Sequence, residues 1–177
     1  MTTQQDEQAA AEALRSETVL GFDTESRPAF VSGVVHPTAL VQLAGSKAVY
    51  IFHLNKLDHL ESILTLFSDP GVTKAGIALA DDLKKLRSTY KDFEPAGFVE
   101  IGHLSRTAGI KQTGLRSLAG MLLGFRISKR EQRSNWGAET LTPSQLRYAA
   151  TDAWASREIY LKLRDLPRAD AGSDGHA

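Results

Sequence analysis

Thr18-Val19-Leu20-Gly21-Phe22-Asp23-Thr24-Glu25 is an apolar run that closes on two acids. Residues 18–24 read as a buried strand, short and built on Val19, Leu20 and Phe22. Side chains alternate faces along a strand, so Asp23 and Glu25 are neighbours on one face. Two acids on one face repel unless a cation lies between them or one is protonated. Taken alone, the pair reads more readily as a strand end turning into water.

Working outward, a loop from Ser26 to Pro37 leads to a second strand, Ala39–Ala44. Gly45-Ser46-Lys47 turns the chain into a third, Ala48–Phe52, and the two read as a hairpin. Leu57, Leu60, Ile63, Leu64 and Phe67 follow helical spacing, and Pro70-Gly71 ends that helix. Val72–Ala78 is a fourth strand, and Leu79, Leu83, Leu86 and Tyr90 predict a helix directly after it. Phe98–Ile101 reads as a short fifth strand. Leu115, Leu118, Ala119, Leu122 and Leu123 mark a further helix stopped by Gly124. A polar stretch from Arg126 to Thr140 precedes the last helix, which has Thr142 as N-cap, Pro143 at N1 and Gln145 completing a capping box; it runs to about Leu163. Upstream, Asp6–Ser16 reads as a short polar helix. Strands come first and helices later, so the fold class expected is α/β, a mixed sheet with helices packed on it.

The length of 177 residues predicts a single domain, with a core of about 15–164 and flexible ends at 1–5 and 166–177. The absence of Cys excludes disulfides, zinc–thiolate sites, iron–sulfur clusters and cysteine nucleophiles. Twenty-one basic and 21 acidic residues cancel, which argues against a bulk polycation but leaves room for a local basic groove. No apolar run approaches a membrane span, and Met1–Glu7 lacks the features of a signal peptide, so a soluble cytoplasmic protein is expected.

Two further places present acids. Asp81-Asp82 opens the helix after the fourth strand, where dipole capping alone accounts for acids. At ~100° per residue, Asp82 lies at the border between core and cleft and Asp81 faces solvent, within reach of Lys84 and Lys85. Tyr148 and Asp152 stand at i and i+4 on the last helix and share a face, either as a surface pair or as part of a site.

Each signal is weak alone, but D-x-E, a later helix-opening Asp and Y-x-x-x-D in this order resemble the motifs of the DEDD superfamily of 3′→5′ exonucleases, tyrosine subgroup. Lys74–Leu86 resembles the second motif of the ribonuclease D and Werner exonuclease families. Gly114–Ala119 with Leu122-Leu123-Gly124 resembles the helix that follows. Ser128-Lys129, Ser134-Asn135-Trp136 and Leu146–Asp152 resemble the third-motif region. The resemblance spans residues 15–164 and implies a ribonuclease-H-like fold with a five-stranded mixed sheet. Glu100 stands where such families often carry Asp, and it is assigned no role.

Asp23, Glu25, Asp82 and Asp152 would form an all-oxygen site, which favours Mg²⁺ or Mn²⁺ over zinc. The resemblance implies two such divalent ions, with Asp23 the best candidate to touch both, and release of nucleoside 5′-monophosphates from a 3′ end. With an ordinary pKa near ~10, Tyr148 is a poor base and is expected to orient the attacking water. His36, His53, His59, His103 and His176 read as surface or packing residues. Arg126, Lys129, Arg130 and Arg133 are expected to touch the nucleic-acid backbone, opposed only by Glu131, and Trp136 either stacks on a base or fills the core. The chain is expected to be a stand-alone catalytic domain acting on single-stranded or 3′-end DNA or RNA. Two substrate readings stay open, a Werner-like DNA exonuclease and a nuclease of very short RNAs. A catalytically inactive binding module is a rival of another class.

Overall fold

The computed structural model describes residues 1–31, 33–91 and 93–166. Helix α1 spans Gln4–Arg15, capped by the Thr3 side chain. Strands β1 (Val19–Ser26), β2 (Thr38–Ala44) and β3 (Val49–His53) follow. A 3₁₀ turn at Leu54–Lys56 leads to α2 (Glu61–Phe67), β4 (Thr73–Gly76) and α3 (Leu79–Thr89). Strand β5 (Phe98–Glu100) runs straight into α4 (Ile101–Thr107). Helix α5 (Leu115–Leu118) passes into a π turn at Ala119–Leu123, and α6 spans Pro143–Arg164. Among the described residues, no helix is long and apolar enough to cross a membrane.

The sheet order is β3-β2-β1-β4-β5. The pairs β1–β2 and β2–β3 are antiparallel, whereas β1–β4 and β4–β5 are parallel, so the sheet is mixed as expected. Alternation along β1 sorts its residues. Leu20 and Phe22 enter a core with Leu14, Ile63, Phe67 and Leu86, contributed by α1, α2 and α3. Gly21, Asp23 and Glu25 therefore face the other side. There α6 lies so close that a Cβ on Gly21 would sit 1.9 Å from the Ala153 carbonyl oxygen. A second core joins α4, α5 and α6 through Ile101, Leu118, Ala155 and Ile159.

Several boundaries differ from the sequence reading for stated reasons. The helix predicted from Leu57 begins at Glu61, where the buried Glu7 of α1 accepts a hydrogen bond from the Ile63 N–H at 2.9 Å. That distant acceptor, not the apolar stripe, fixes the start. The fourth strand stops at Gly76 because Ala78 adopts a left-handed conformation, φ 59°. Helix α4 has no counterpart in the sequence reading. The helix predicted over 115–123 is split between α5 and the π turn, although Gly124 ends it with φ 76° as expected. Residues 1–5, expected to be loose, are anchored: the His53 N–H donates to the Met1 carbonyl at 3.1 Å and the Met1 amine to Ile51 O. Of the flexible tail expected over 166–177, all but Leu166 lies outside the described residues. The capping box of α6 is formed in full, with Gln145 N donating to Thr142 Oγ1 and Thr142 N to Gln145 Oε1.

Candidate active site

Strand β1 and helix α6 build the site together. Asp23 and Glu25 project from β1 toward α6, and Asp152 meets them from one face of the helix. Carboxylate oxygens of Asp23, Glu25 and Asp152 lie within 4.8 Å of one another. Asp152 is 6% exposed, and its Oδ1 has no hydrogen-bond partner among the described residues. Three converging acids with an unpaired buried oxygen fit a hard divalent cation.

Asp82 stands apart from that trio. Its Oδ1 accepts the Thr24 hydroxyl at 2.6 Å, and Thr24 points away from the face that carries Asp23 and Glu25. Asp82 is nonetheless close enough to raise the pKa of both. Asp81 is exposed, as the helical phase predicts. Lys85 does not turn to Asp81; it donates to Ser26 Oγ at 3.3 Å.

Burial and mutual repulsion hold protons on these acids. Desolvation, then Asp152 and Asp82, pushes Asp23 well above the usual carboxylate range. Desolvation, then Asp23 and the other acids, pushes Glu25 up to about 9. Desolvation raises Asp152 to about 6 and also raises Asp82. In the metal-free protein, Glu25 and Asp152 keep protons that the unfolded chain has already released. Stability must then fall as pH rises from ~5 through ~9, because the unfolded state binds fewer protons over that window. Thermal melts of EDTA-treated protein should show this decline, and Glu25→Gln should flatten it. A level profile in the unsubstituted chain would contradict the arrangement.

Tyr148 lies beside Asp152 on α6 and is 8% exposed. Burial first, then Asp152 and Glu25, raises its pKa above the ordinary 10, so the phenol keeps its proton at neutral pH. Arg116 Nη2 donates to the Tyr148 hydroxyl oxygen at 3.1 Å. A phenol oxygen that accepts from a guanidinium can still donate its own O–H, and the Asp152 carboxylate one turn on is within its reach. Arg116 also reaches Gln132 Oε1 at 3.4 Å and so ties the polar stretch to the site. The sequence reading missed Arg116. It stands within the Leu115–Leu118 segment used for the resemblance, but no spacing rule there connects it to Tyr148 more than 30 residues on.

Glu100 has a role that the sequence reading denied it. Its Oε1 accepts from Ala78 N at 3.2 Å and Gly102 N at 3.1 Å, and its Oε2 from Leu79 N at 3.0 Å. One carboxylate thus caps both α3 and α4, and α3 carries Asp82 one turn further on. Glu100→Ala should cost about 1–3 kcal/mol, since each lost cap is worth about 0.5–2 kcal/mol. Thermal denaturation would check this, and an unchanged Tm would remove Glu100 from the clamp.

The basic residues divide. Arg126, Lys129, Arg130 and Arg133 are all exposed. Lys129 lines a cavity with Arg116, Tyr148 and Asp152, whereas Arg126 and Arg130 line a separate groove. Arg133 lies over the Phe30 ring at 5.7 Å. Trp136 is corrected to the core: it is 0% exposed and packs on Tyr148 with ring centroids 5.8 Å apart. No face of its indole is open to a base.

A five-stranded mixed sheet carrying acids from its central strand against helix α6 is the arrangement of the ribonuclease-H-like fold. The 3′–5′ exonuclease family matches residues 1–166, and the chain belongs to that family. It is 37% identical over 153 residues to exonuclease 3′-5′ domain-containing protein 2 of Drosophila melanogaster, covering 84% of this chain and 26% of that protein. It is 35% identical over 164 residues to a 3′-5′ exonuclease of Arabidopsis thaliana, covering 87% of this chain and 55% of the relative. The chain thus spans between about a quarter and about half of these relatives. The crystal structure of Escherichia coli RNase D superposes with a TM-score of 0.84 at 24% identity, over 93% of this chain and 43% of that one, and confirms the fold.

Proposed function

We propose that residues 1–166 act as one metal-dependent 3′→5′ exonuclease domain that releases nucleoside 5′-monophosphates from the 3′ end of DNA or RNA. The observation that carries this reading is the convergence of Asp23, Glu25 and Asp152 within 4.8 Å beside Tyr148, in a chain of the exonuclease family. Asp23, Glu25 and Asp152, with Asp82 behind them, would hold two divalent ions, Mg²⁺ or Mn²⁺. When bound, such ions neutralise charge at the phosphodiester and make water acidic enough to attack at neutral pH.

The chain's own residues supply placement. Tyr148, protonated and held by Arg116, orients the attacking water by hydrogen bonding. The water oxygen bonds to the terminal phosphorus and gives up one proton, the bond from phosphorus to the neighbouring 3′-oxygen breaks, and that oxygen takes up a proton, so the products are a 5′-monophosphate and a new 3′-hydroxyl. Lys129, beside the acids, and the exposed Arg126, Arg130 and Arg133 draw in the phosphate backbone.

The test is degradation of 3′-labelled and 5′-labelled DNA and RNA strands with Mn²⁺. A 3′-phosphate should block digestion, a blocked 5′ end should not, and excess EDTA should stop it. Undiminished hydrolysis in EDTA would overturn the metal-dependent reading. Degradation of 3′-capped but not 5′-capped strands would reverse the polarity.

A further inference from the structure

An open groove of about 560 Å³ runs between segment 125–131 and the flank of α6. Phe125, Arg126, Arg130, Arg147, Tyr148 and Trp154 are among its walls. Tyr148 also lines the cavity that holds Asp152, so one side chain borders both spaces. We propose that this groove binds the nucleotides immediately upstream of the scissile bond in a single strand, with Trp154 as the base-stacking face. The proposal rests on the exonuclease reading above.

Four observations support it. Trp154 is 40% exposed in the middle of a helix whose neighbours Ala153 and Ala155 are fully buried. Its indole leans on Phe125, centroids 5.5 Å apart at 41°, which holds the ring in place while leaving it open to solvent. Arg147, Thr151 and Trp154 stand at i, i+4 and i+7, so they form one stripe about 10 Å long on the helix flank. Arg126, Arg130 and Arg147 are exposed, and among the described residues none has a carboxylate within 4.0 Å. The one acid in the wall, Glu131, already accepts the Ser144 hydroxyl at 2.8 Å. In a chain of zero net charge, three unpaired guanidinium groups beside an open indole match phosphates and bases in alternation.

Trp136 is fully enclosed and Trp154 is not, so contact-dependent changes in tryptophan fluorescence report on Trp154. Titrating the EDTA-treated protein with a single-stranded 12-mer should quench the emission, and Trp154→Phe should abolish the quenching. With metal present, Trp154→Ala should shrink the preference for the 12-mer over a dinucleotide, measured as a ratio of kcat/KM, by roughly ten- to a hundredfold; Trp154→Tyr should restore most of it. Arg147→Ala should lower the slope of log affinity against log salt by about one. Quenching that persists in Trp154→Phe, or an unchanged length preference in Trp154→Ala with full activity, would overturn the groove assignment. Absence of strand cleavage by the unsubstituted protein would instead overturn the exonuclease reading, while the fluorescence titration still decides the groove.

Discussion

On the proposed metal site, Asp82→Asn is expected to lower turnover by at least ~10³-fold, because losing the charge of a carboxylate that helps hold the ions would withdraw several kcal/mol of transition-state stabilisation at about 1.4 kcal/mol per decade. The substitution is a clean one. Asn keeps the Oδ1 acceptor that the Thr24 hydroxyl engages at 2.6 Å, so the local structure survives. It removes only the charge, and that charge now raises Asp23 and Glu25. The metal-free variant should therefore melt slightly higher than the unsubstituted protein. Asp81→Asn, one residue away and facing solvent, should retain most activity and cost at most the ~0.3–1 kcal/mol of a helix-dipole contact. Steady-state kinetics on both variants decides the matter. A dead Asp81→Asn beside an active Asp82→Asn would reverse the assignment.

Gly21→Ala should be the most destabilising single-methyl change in β1. The added Cβ would sit 1.9 Å from Ala153 O and 2.8 Å from Arg157 N, both backbone atoms of α6. Neither atom belongs to a side chain that can swing aside, so the helix must move off the sheet. Overpacking ordinarily costs ~1–3 kcal/mol. Here the loss should reach the top of that range or exceed it, lowering Tm by ~6–12 °C in a domain of this size. Because α6 also carries Tyr148 and Asp152, activity should fall even at temperatures where the variant stays folded. A Tm within ~2 °C of the unsubstituted protein would mean that the helix accommodates the methyl without displacement.

Much of this arrangement is legible in the sequence because its causes are local. Alternation along residues 18–25 sets the faces of Asp23 and Glu25, and the Thr142–Gln145 box sets the start of α6. Helical phase separates Asp82 from Asp81. What is not legible depends on distant partners. Glu7 caps α2 from another helix, Glu100 joins two helix starts, and Arg116 finds Tyr148 across the cleft. Trp136 is ambiguous in one dimension, since an aromatic in a polar stretch suits a base or a core equally; only its enclosure against Ala39, Leu40 and Tyr148 decides for the core.

The seating of α6 on Gly21 also carries a meaning for biosynthesis. The strand bearing Asp23 and Glu25 is translated early, whereas Tyr148 and Asp152 arrive on the last helix. A nascent chain that has built its sheet would hold Asp23, Glu25 and Asp82, but neither Tyr148 nor Asp152. The proposed site would be complete only when α6 docks, so a half-made or half-unfolded copy would lack it.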